Sequence, residues 1–191
     1  MKGARPLTDV EVNAVQAQLG PRDRALFVLG IRTGFRVSEL LSLRLGDVWQ
    51  DGNVLEAVGV SRKSMKGRSE GRIVPLHQQA RLELGAWAAV LLARGATKKS
   101  FLFPSREGGA ISRFRAWAIM TAACRRAGVF GKTGTHFWRK TFACRIYEKV
   151  GHDLLKTQKA LGHKAITSTS AYLSFAEAEV DAAILAPDEK C

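Results

Sequence analysis

A histidine and a tyrosine stand nine residues apart, at the two ends of a segment rich in small and polar residues, LGHKAITSTSAYL, residues 161–173. His163 can donate a hydrogen bond to an anion, and the phenol of Tyr172 can act as a nucleophile once it loses its proton. Neighbouring cations would ease that loss because they stabilise the phenolate. The alternative is a half-buried aromatic residue. Ala171 and Leu173, which flank the tyrosine, can anchor the helix while the phenol faces out.

An arginine directly precedes a predicted helix start in the motif RTGFRVSELLSL. Helix N-termini attract anions through their free N–H groups and the helix dipole. Arg36 is therefore unfavourable at this position unless an anion joins it, which indicates a phosphate site. An ordinary surface arginine is the alternative. Glu39 and Asp47 are more suited to orienting cations than to binding a metal ion.

A second arginine lies three residues after a histidine in THFWRKTFACRIY. On a helix this spacing places His136 and Arg139 on one face, while Phe137, Phe142 and Ile146 form a different stripe that can serve the core. A guanidinium can grip a phosphate with two hydrogen bonds, and an imidazole can add a third. A plain polar helix face is the alternative.

A basic segment, SRKSMKGRSEGR, lies between two predicted strands and carries Arg62, Lys63, Lys66, Arg68 and Arg72. It could be a solvated turn or a loop that binds a nucleic-acid backbone. It could also deliver a lysine as a general acid, because neighbouring cations lower the pKa of a lysine toward the working pH.

Taken together, three motifs resemble the catalytic set of the tyrosine recombinases, the lambda-integrase type of the phage integrase family. They are TGFRVSELLSL, HFWRKTFA and LGHKAITSTSAYL, and the resemblance runs from about residue 7 to residue 180. It implies that Arg36 and Arg139 bind the non-bridging oxygens of the scissile phosphate. It also implies that His136 assists proton transfer, that His163 donates to the phosphate, and that Tyr172 is the nucleophile.

The resemblance further implies that a lysine of the basic segment is the general acid. Lys66 fits best by its distance from the VPL motif, with Lys63 as the alternative, because the segment is about one residue longer than is usual in the family. Arg62, Lys63, Arg68 and Arg72 are the predicted DNA contacts. Lys140 replaces a common histidine and is left out of the catalytic set.

The implied activity is site-specific DNA recombination or integration, of the kind found in mobile genetic elements. Tyr172 would form a 3′-phosphotyrosine link, and a 5′-hydroxyl would reverse the step. This transesterification needs neither ATP nor a metal, so we expect no cofactor. Two alternatives stay open: relaxation of DNA by a type IB topoisomerase-like activity, and a non-catalytic DNA-binding module of the same fold.

Composition agrees with a nucleic-acid partner. The 191 residues include 30 Lys and Arg against 17 Asp and Glu, a net charge of +13, which favours a polyanionic partner. The three cysteines show no C-x-x-C spacing, so we expect neither a disulfide framework nor a zinc site. No apolar run approaches a membrane span, and we expect a cytoplasmic, nucleoid-associated protein.

The elements that must position these residues are mostly helical. Helices are predicted from Thr8 to Gly20, over 22–34, over 79–94, from Ser112 to Arg126, from Thr135 to about Gly151, from Asp153 to Gly162 and over about 175–185. The Asp51–Gly52 pair predicts a turn between strands, and residues 71–77 predict the partner strand. The fold class is α+β, mainly α-helical, with one small antiparallel sheet.

We expect residues 1–191 to form a single compact catalytic domain, without the N-terminal core-binding domain that family members usually carry. The chain would then be either a segment of a longer recombinase or a naturally minimal one. The expected partner is double-stranded DNA, bound by a protein that is monomeric in solution and assembles as a tetramer on paired sites. A separate DNA-binding or accessory protein is a further expected partner.

Overall fold

The computed structural model describes residues 5–60, 71–131, 137–170, 173 and 185 of the chain. Within these ranges the protein is mainly helical and carries small antiparallel sheets, as the sequence predicts. The α-helices are α1 (Asp9–Ala17), α2 (Pro21–Thr33), α3 (Val37–Ser42), α4 (Gln78–Ala93), α5 (Arg113–Arg126), α6 (Phe137–Lys149), α7 (Leu154–Leu161) and α8 (Ile166–Ser170).

The strands form two separate two-stranded sheets rather than the single predicted sheet. The first joins β1 (Trp49–Gln50) to β2 (Asn53–Val54). The turn between them is the predicted Asp-Gly pair, and both of its residues have positive φ, as a tight hairpin turn requires. The second sheet pairs β3 (Ala57–Val60) with β4 (Arg72–Pro75). The amide of Leu55 donates to the carbonyl of Val48 and so extends the first hairpin by one residue before the chain enters β3.

Helix α2 is the centre of the fold. Every residue from Ala25 to Ile31 is buried, and the helix packs against α4 and α6. A helix that is apolar on all sides is expected in the middle of a core. Its contact with α6 is close because Gly30 has no side chain: a Cβ there would lie 3.0 Å from the ring of Trp138. Trp138 is itself fully buried.

The predicted capping residues fix most helix ends. Thr8 and Glu11 form the predicted capping box of α1, but the helix ends at Ala17 rather than at Gly20. Gly20 instead precedes the first turn of α2, which begins at Pro21. Proline suits the first position of a helix because the main-chain nitrogen there has no hydrogen-bond partner within the helix.

Two later helices have the predicted bounds. Ser112 caps α5, and Asp153 caps α7, which ends at Gly162 in the left-handed conformation. The predicted helix start at Thr135 and the predicted helix over 175–185 lie outside the described residues, apart from Leu185.

In the part of the chain that the structure describes, no helix is both long and apolar enough to cross a membrane. Cys124 and Cys144 are free thiols. Burial raises the pKa of both thiols, which keeps them protonated and unreactive at neutral pH.

Candidate active site

Four of the predicted site residues fall within the described ranges: Arg36, Arg72, Arg139 and His163. The remaining ones lie outside the described residues; they are Lys66, His136 and Tyr172 of the catalytic set and Arg62, Lys63 and Arg68 of the DNA contacts.

Arg36 is the residue that precedes the first turn of α3. Glu39 in that turn accepts hydrogen bonds from the main-chain nitrogen of Arg36 at 2.6 Å and from its Nη1 at 3.2 Å. Glu39 therefore orients the arginine, as the sequence indicates, and also supplies negative charge at this helix start. The positive charge of Arg36 at the helix start is therefore balanced by Glu39 without an external anion. The position of Arg36 before a helix is for this reason weaker evidence for a phosphate site than the sequence suggests. The Arg36 side chain is 33% exposed, which leaves it accessible to a ligand.

Arg139 lies in the first turn of α6 and points into the protein. It is only 1% exposed. Its Nη1 donates to the carbonyl of Gly34, and its Nη2 donates to the carbonyl of Leu161 at 2.8 Å. The predicted core stripe of the same helix is confirmed at Phe142, which is buried. Arg139 is thus held by main-chain groups from two other helices rather than standing on an open polar face.

Arg72, the first residue of β4, is oriented in a similar way. Its Nη2 donates to the carbonyl of Thr33 at 2.7 Å, and its Nη1 donates to the carbonyl of Ala160. The guanidinium also lies over the ring of Phe35, 4.6 Å from the ring centre. Both terminal nitrogens are therefore engaged by main-chain carbonyls, whereas the sequence predicts a DNA contact, which stays a prediction.

Arg72 and Arg139 donate hydrogen bonds to neighbouring carbonyl groups of the same two segments. One segment is the end of α2, residues 33–34, and the other is the end of α7, residues 160–161. We call Arg72, Arg139 and these four carbonyl groups the arginine clamp. Charged donors make stronger hydrogen bonds than neutral ones, so the clamp fixes the two helix ends relative to each other.

Each clamped segment leads directly to a predicted catalytic residue. Gly34 ends α2 in the left-handed conformation, and Arg36 follows two residues later. Gly162 ends α7 in the same conformation, and His163 is the next residue. The structure therefore brings the Arg36 and His163 segments together on the buried Arg139.

The imidazole of His163 is held by α8. Its Nδ1 lies 2.9 Å from the hydroxyl oxygen of Thr169, a fully buried residue. Sequence reasoning treats this stretch as a Ser/Thr-rich bridge and does not predict the short helix. No local signal in the sequence singles out Thr169, because its burial depends on the tertiary fold.

Leu173, the residue after Tyr172 in the sequence, lies in the α6–α7 region. Leu173 is 6% exposed and packs in a small apolar cluster with Phe142, Ala143 and Leu161. The predicted anchoring role of Leu173 is confirmed.

The arrangement suits a phosphodiester. Arg36 and His163 follow just after the two segments that the clamp holds in place, and Arg139 supplies a buried positive charge between those segments. Preorganised donors of this kind stabilise negative charge without reorganising during a reaction.

Comparisons with known proteins agree with this geometry. A model of the phage integrase family matches residues 7–179. Tyrosine recombinase XerC of Xanthomonas campestris pv. campestris is 35% identical over 156 residues, which cover 82% of this chain and 45% of the relative. Tyrosine recombinase XerD of Corynebacterium glutamicum is 38% identical over 154 residues, covering 79% of this chain and 47% of the relative. The chain thus spans about half the length of these curated relatives.

Solved structures share the fold. XerA recombinase superposes with a TM-score of 0.79 at 21% identity, over 98% of this chain and 67% of that protein. The XerH site-specific recombinase bound to its difH substrate gives a TM-score of 0.73 at 22% identity, over 97% of this chain and 55% of that one. A lambda integrase dimer bound to a COC′ core site gives 0.67 at 20% identity, over 90% and 59%.

Proposed function

Because the chain belongs to the phage integrase family, we propose that it cleaves and rejoins DNA strands as the catalytic part of a site-specific tyrosine recombinase. The observation that carries the proposal is the arginine clamp, since it unites the segments of Arg36 and His163, two residues of the family motifs, around the buried Arg139.

In the proposed cleavage step, the phenolic oxygen of Tyr172 attacks the scissile phosphorus. The bond from phosphorus to the 5′ oxygen breaks, and a 3′-phosphotyrosine link forms. His136 accepts the phenolic proton, and Lys66 donates a proton to the leaving 5′ oxygen. Arg36 neutralises the negative charge on the non-bridging oxygens, and the buried Arg139, whose terminal nitrogens donate to the carbonyls of Gly34 and Leu161, adds positive charge beside them. His163 donates to the phosphate through Nε2, because Nδ1 contacts Thr169.

Rejoining is the reverse of cleavage. A 5′-hydroxyl from a partner duplex attacks the phosphotyrosine, the DNA phosphodiester forms again, and the tyrosine is released. The substrate is double-stranded DNA, and exchange between two duplexes needs four active sites. We therefore propose a tetramer assembled on paired sites from a protein that is monomeric in solution, with a further DNA-binding region or accessory protein.

Capture of a covalent adduct tests the nucleophile. The protein is incubated with short duplexes of randomised sequence and denatured, and the DNA that stays attached to protein is sequenced. Tyr172→Phe should abolish the adduct and leave DNA binding nearly unchanged, because only a hydroxyl is removed. The chain contains two tyrosines, and the other, Tyr147, provides the matched control: Tyr147→Phe should retain the adduct. An adduct formed by Tyr172→Phe would refute the assignment.

A second readout separates recombination from topoisomerase-like relaxation. Plasmids that carry two copies of the recovered sequence should exchange segments between the copies. Relaxation of a supercoiled plasmid without exchange, even at high protein concentration, would favour the relaxing activity instead.

A further inference from the structure

We propose that Arg72 is a positioning residue: it fixes the last residue of the basic segment, where β4 begins, to the segments that precede Arg36 and His163, and so helps to place the general-acid lysine. The inference rests on the proposed function above. It assigns to Arg72 a structural link within the site instead of a contact with DNA.

The contacts of Arg72 reach both segments at once. Its guanidinium joins the carbonyl of Thr33, at 2.7 Å, to that of Ala160. The ring of Phe35, the residue before Arg36, lies 4.6 Å beneath the guanidinium carbon. The aliphatic part of the Arg72 side chain lies against Gly162. A Cβ at that glycine would be 2.9 Å from the Cδ of Arg72. Arg72 thus touches the residues next to Arg36 and next to His163.

The backbone of Arg72 lies at the end of the β3–β4 ladder that is nearest to the basic segment. In the register of the second sheet, Arg72 is opposite Val60, so this pair closes the ladder on the side of residues 61–71. Lys66 and Lys63 belong to that connecting segment. The Arg72 side chain fixes this pair to the ends of α2 and α7. It therefore fixes the point at which the segment that carries the lysine joins the fold.

The chemistry of the side chain suits this role better than a phosphate contact. An arginine grips a phosphate with a pair of N–H groups. Both terminal nitrogens of Arg72 already donate to carbonyls, and its flat face covers a ring, so a grip on DNA would require these contacts to break. Lysine cannot replace it, because an ammonium group is a point donor that neither spans two carbonyls nor stacks in the same way.

The first test compares three variants in single-turnover cleavage of the sequence recovered in the adduct experiment. Arg72→Met should lower the cleavage rate by about 10- to 100-fold, as expected for a small misplacement of catalytic groups. Arg72→Lys should not restore the rate, and DNA affinity and its salt dependence should stay unchanged in both. The matched control is Arg44→Met, because Arg44 also covers a ring, that of Phe101, and donates to the carbonyl of Lys99. It should cleave like the unaltered protein.

A DNA with sulfur in place of the bridging 5′ oxygen shows whether the acid is affected. A thiolate leaves with little help from an acid. This substrate should restore part of the lost rate in Arg72→Met and none in Arg36→Met. Weaker binding with a reduced salt slope, or full rescue by Arg72→Lys, would show that Arg72 contacts phosphate and would overturn the proposal. Equal losses in Arg72→Met and Arg44→Met would overturn it as well.

Hydrogen exchange tests the link without any cleavage. The amides of Gly34 and Gly162 are bonded to Gly30 and Lys159 at the two helix ends. In Arg72→Met both should exchange faster than in Arg44→Met. If neither changes, Arg72 does not hold the segments and the proposal fails. If exchange rises but the unaltered protein forms no adduct with any DNA, it is the recombinase function that fails.

Discussion

At the scale of single residues, the positions of Arg36 and His163 depend on two other arginines, Arg72 and Arg139. The clamp arginines hold the peptide groups just before each one. The sequence could predict Arg36, Arg139 and His163 as candidates because their motifs are local. It could not predict that Arg139 is buried, because helical spacing places it on a polar face. Its orientation depends on carbonyls 105 and 22 residues away in the chain.

The choice between the two lysines is also a question at this scale. If Lys66 protonates the leaving oxygen, Lys66→Ala should cleave ordinary DNA at least about 100-fold more slowly, the usual contribution of a general acid. A bridging sulfur should restore its rate. Lys63→Ala is the matched control, since it removes the same charge from the same segment. Sulfur rescue of Lys63→Ala instead of Lys66→Ala would transfer the role to Lys63.

At the scale of elements, the sequence predicts helix ends where a capping residue determines them. Asp153 accepts from the amide of Lys156 at 2.9 Å, and Gly162 adopts a φ of 62°. Both are local properties of the chain. Helix α8 is different, because serine and threonine favour helices weakly. It is held by the buried Thr169 and its contact with His163, which only the tertiary fold provides.

The end of α2 offers a test of close packing between elements. Gly34 has a φ of 61°, and a Cβ there would lie 2.3 Å from the ring of Phe142. Gly34→Ala should therefore lower the free energy of unfolding by about 3 kcal/mol, from backbone strain and overpacking together. Gly95 has a similar φ of 79° but no atom within 4 Å of such a Cβ. Gly95→Ala should cost only the strain, about 1 kcal/mol.

Urea unfolding of the two variants measures both values. Equal losses would show that the Phe142 ring moves aside freely, and that α2 and α6 are not tightly fitted at this point.

At the scale of the whole molecule, the net charge of +13 predicts that salt is the main control of the proposed DNA affinity. If about six phosphates are neutralised, log K should fall against log salt with a slope of roughly −5, about a thousandfold between 50 and 200 mM. Arg68→Ala should reduce that slope by about 1. Arg94→Ala serves as the control, because Arg94 lies over Trp87. A shallow slope with strong preference for one sequence would show that this domain reads its site alone.

The clamp also determines when during synthesis the proposed active site can form. The amide of Leu7 donates to the hydroxyl of Thr141, 134 residues later, and the clamp joins the end of α2 to the end of α7. Contacts between such distant residues form late and slowly, because a long loop must close before they stabilise the fold. A ribosome-bound chain that has not yet released residue 161 lacks two of the four carbonyl acceptors. The partly made chain therefore cannot fix the segments of Arg36 and His163 to each other, so the proposed active site forms only after residue 161 has left the ribosome.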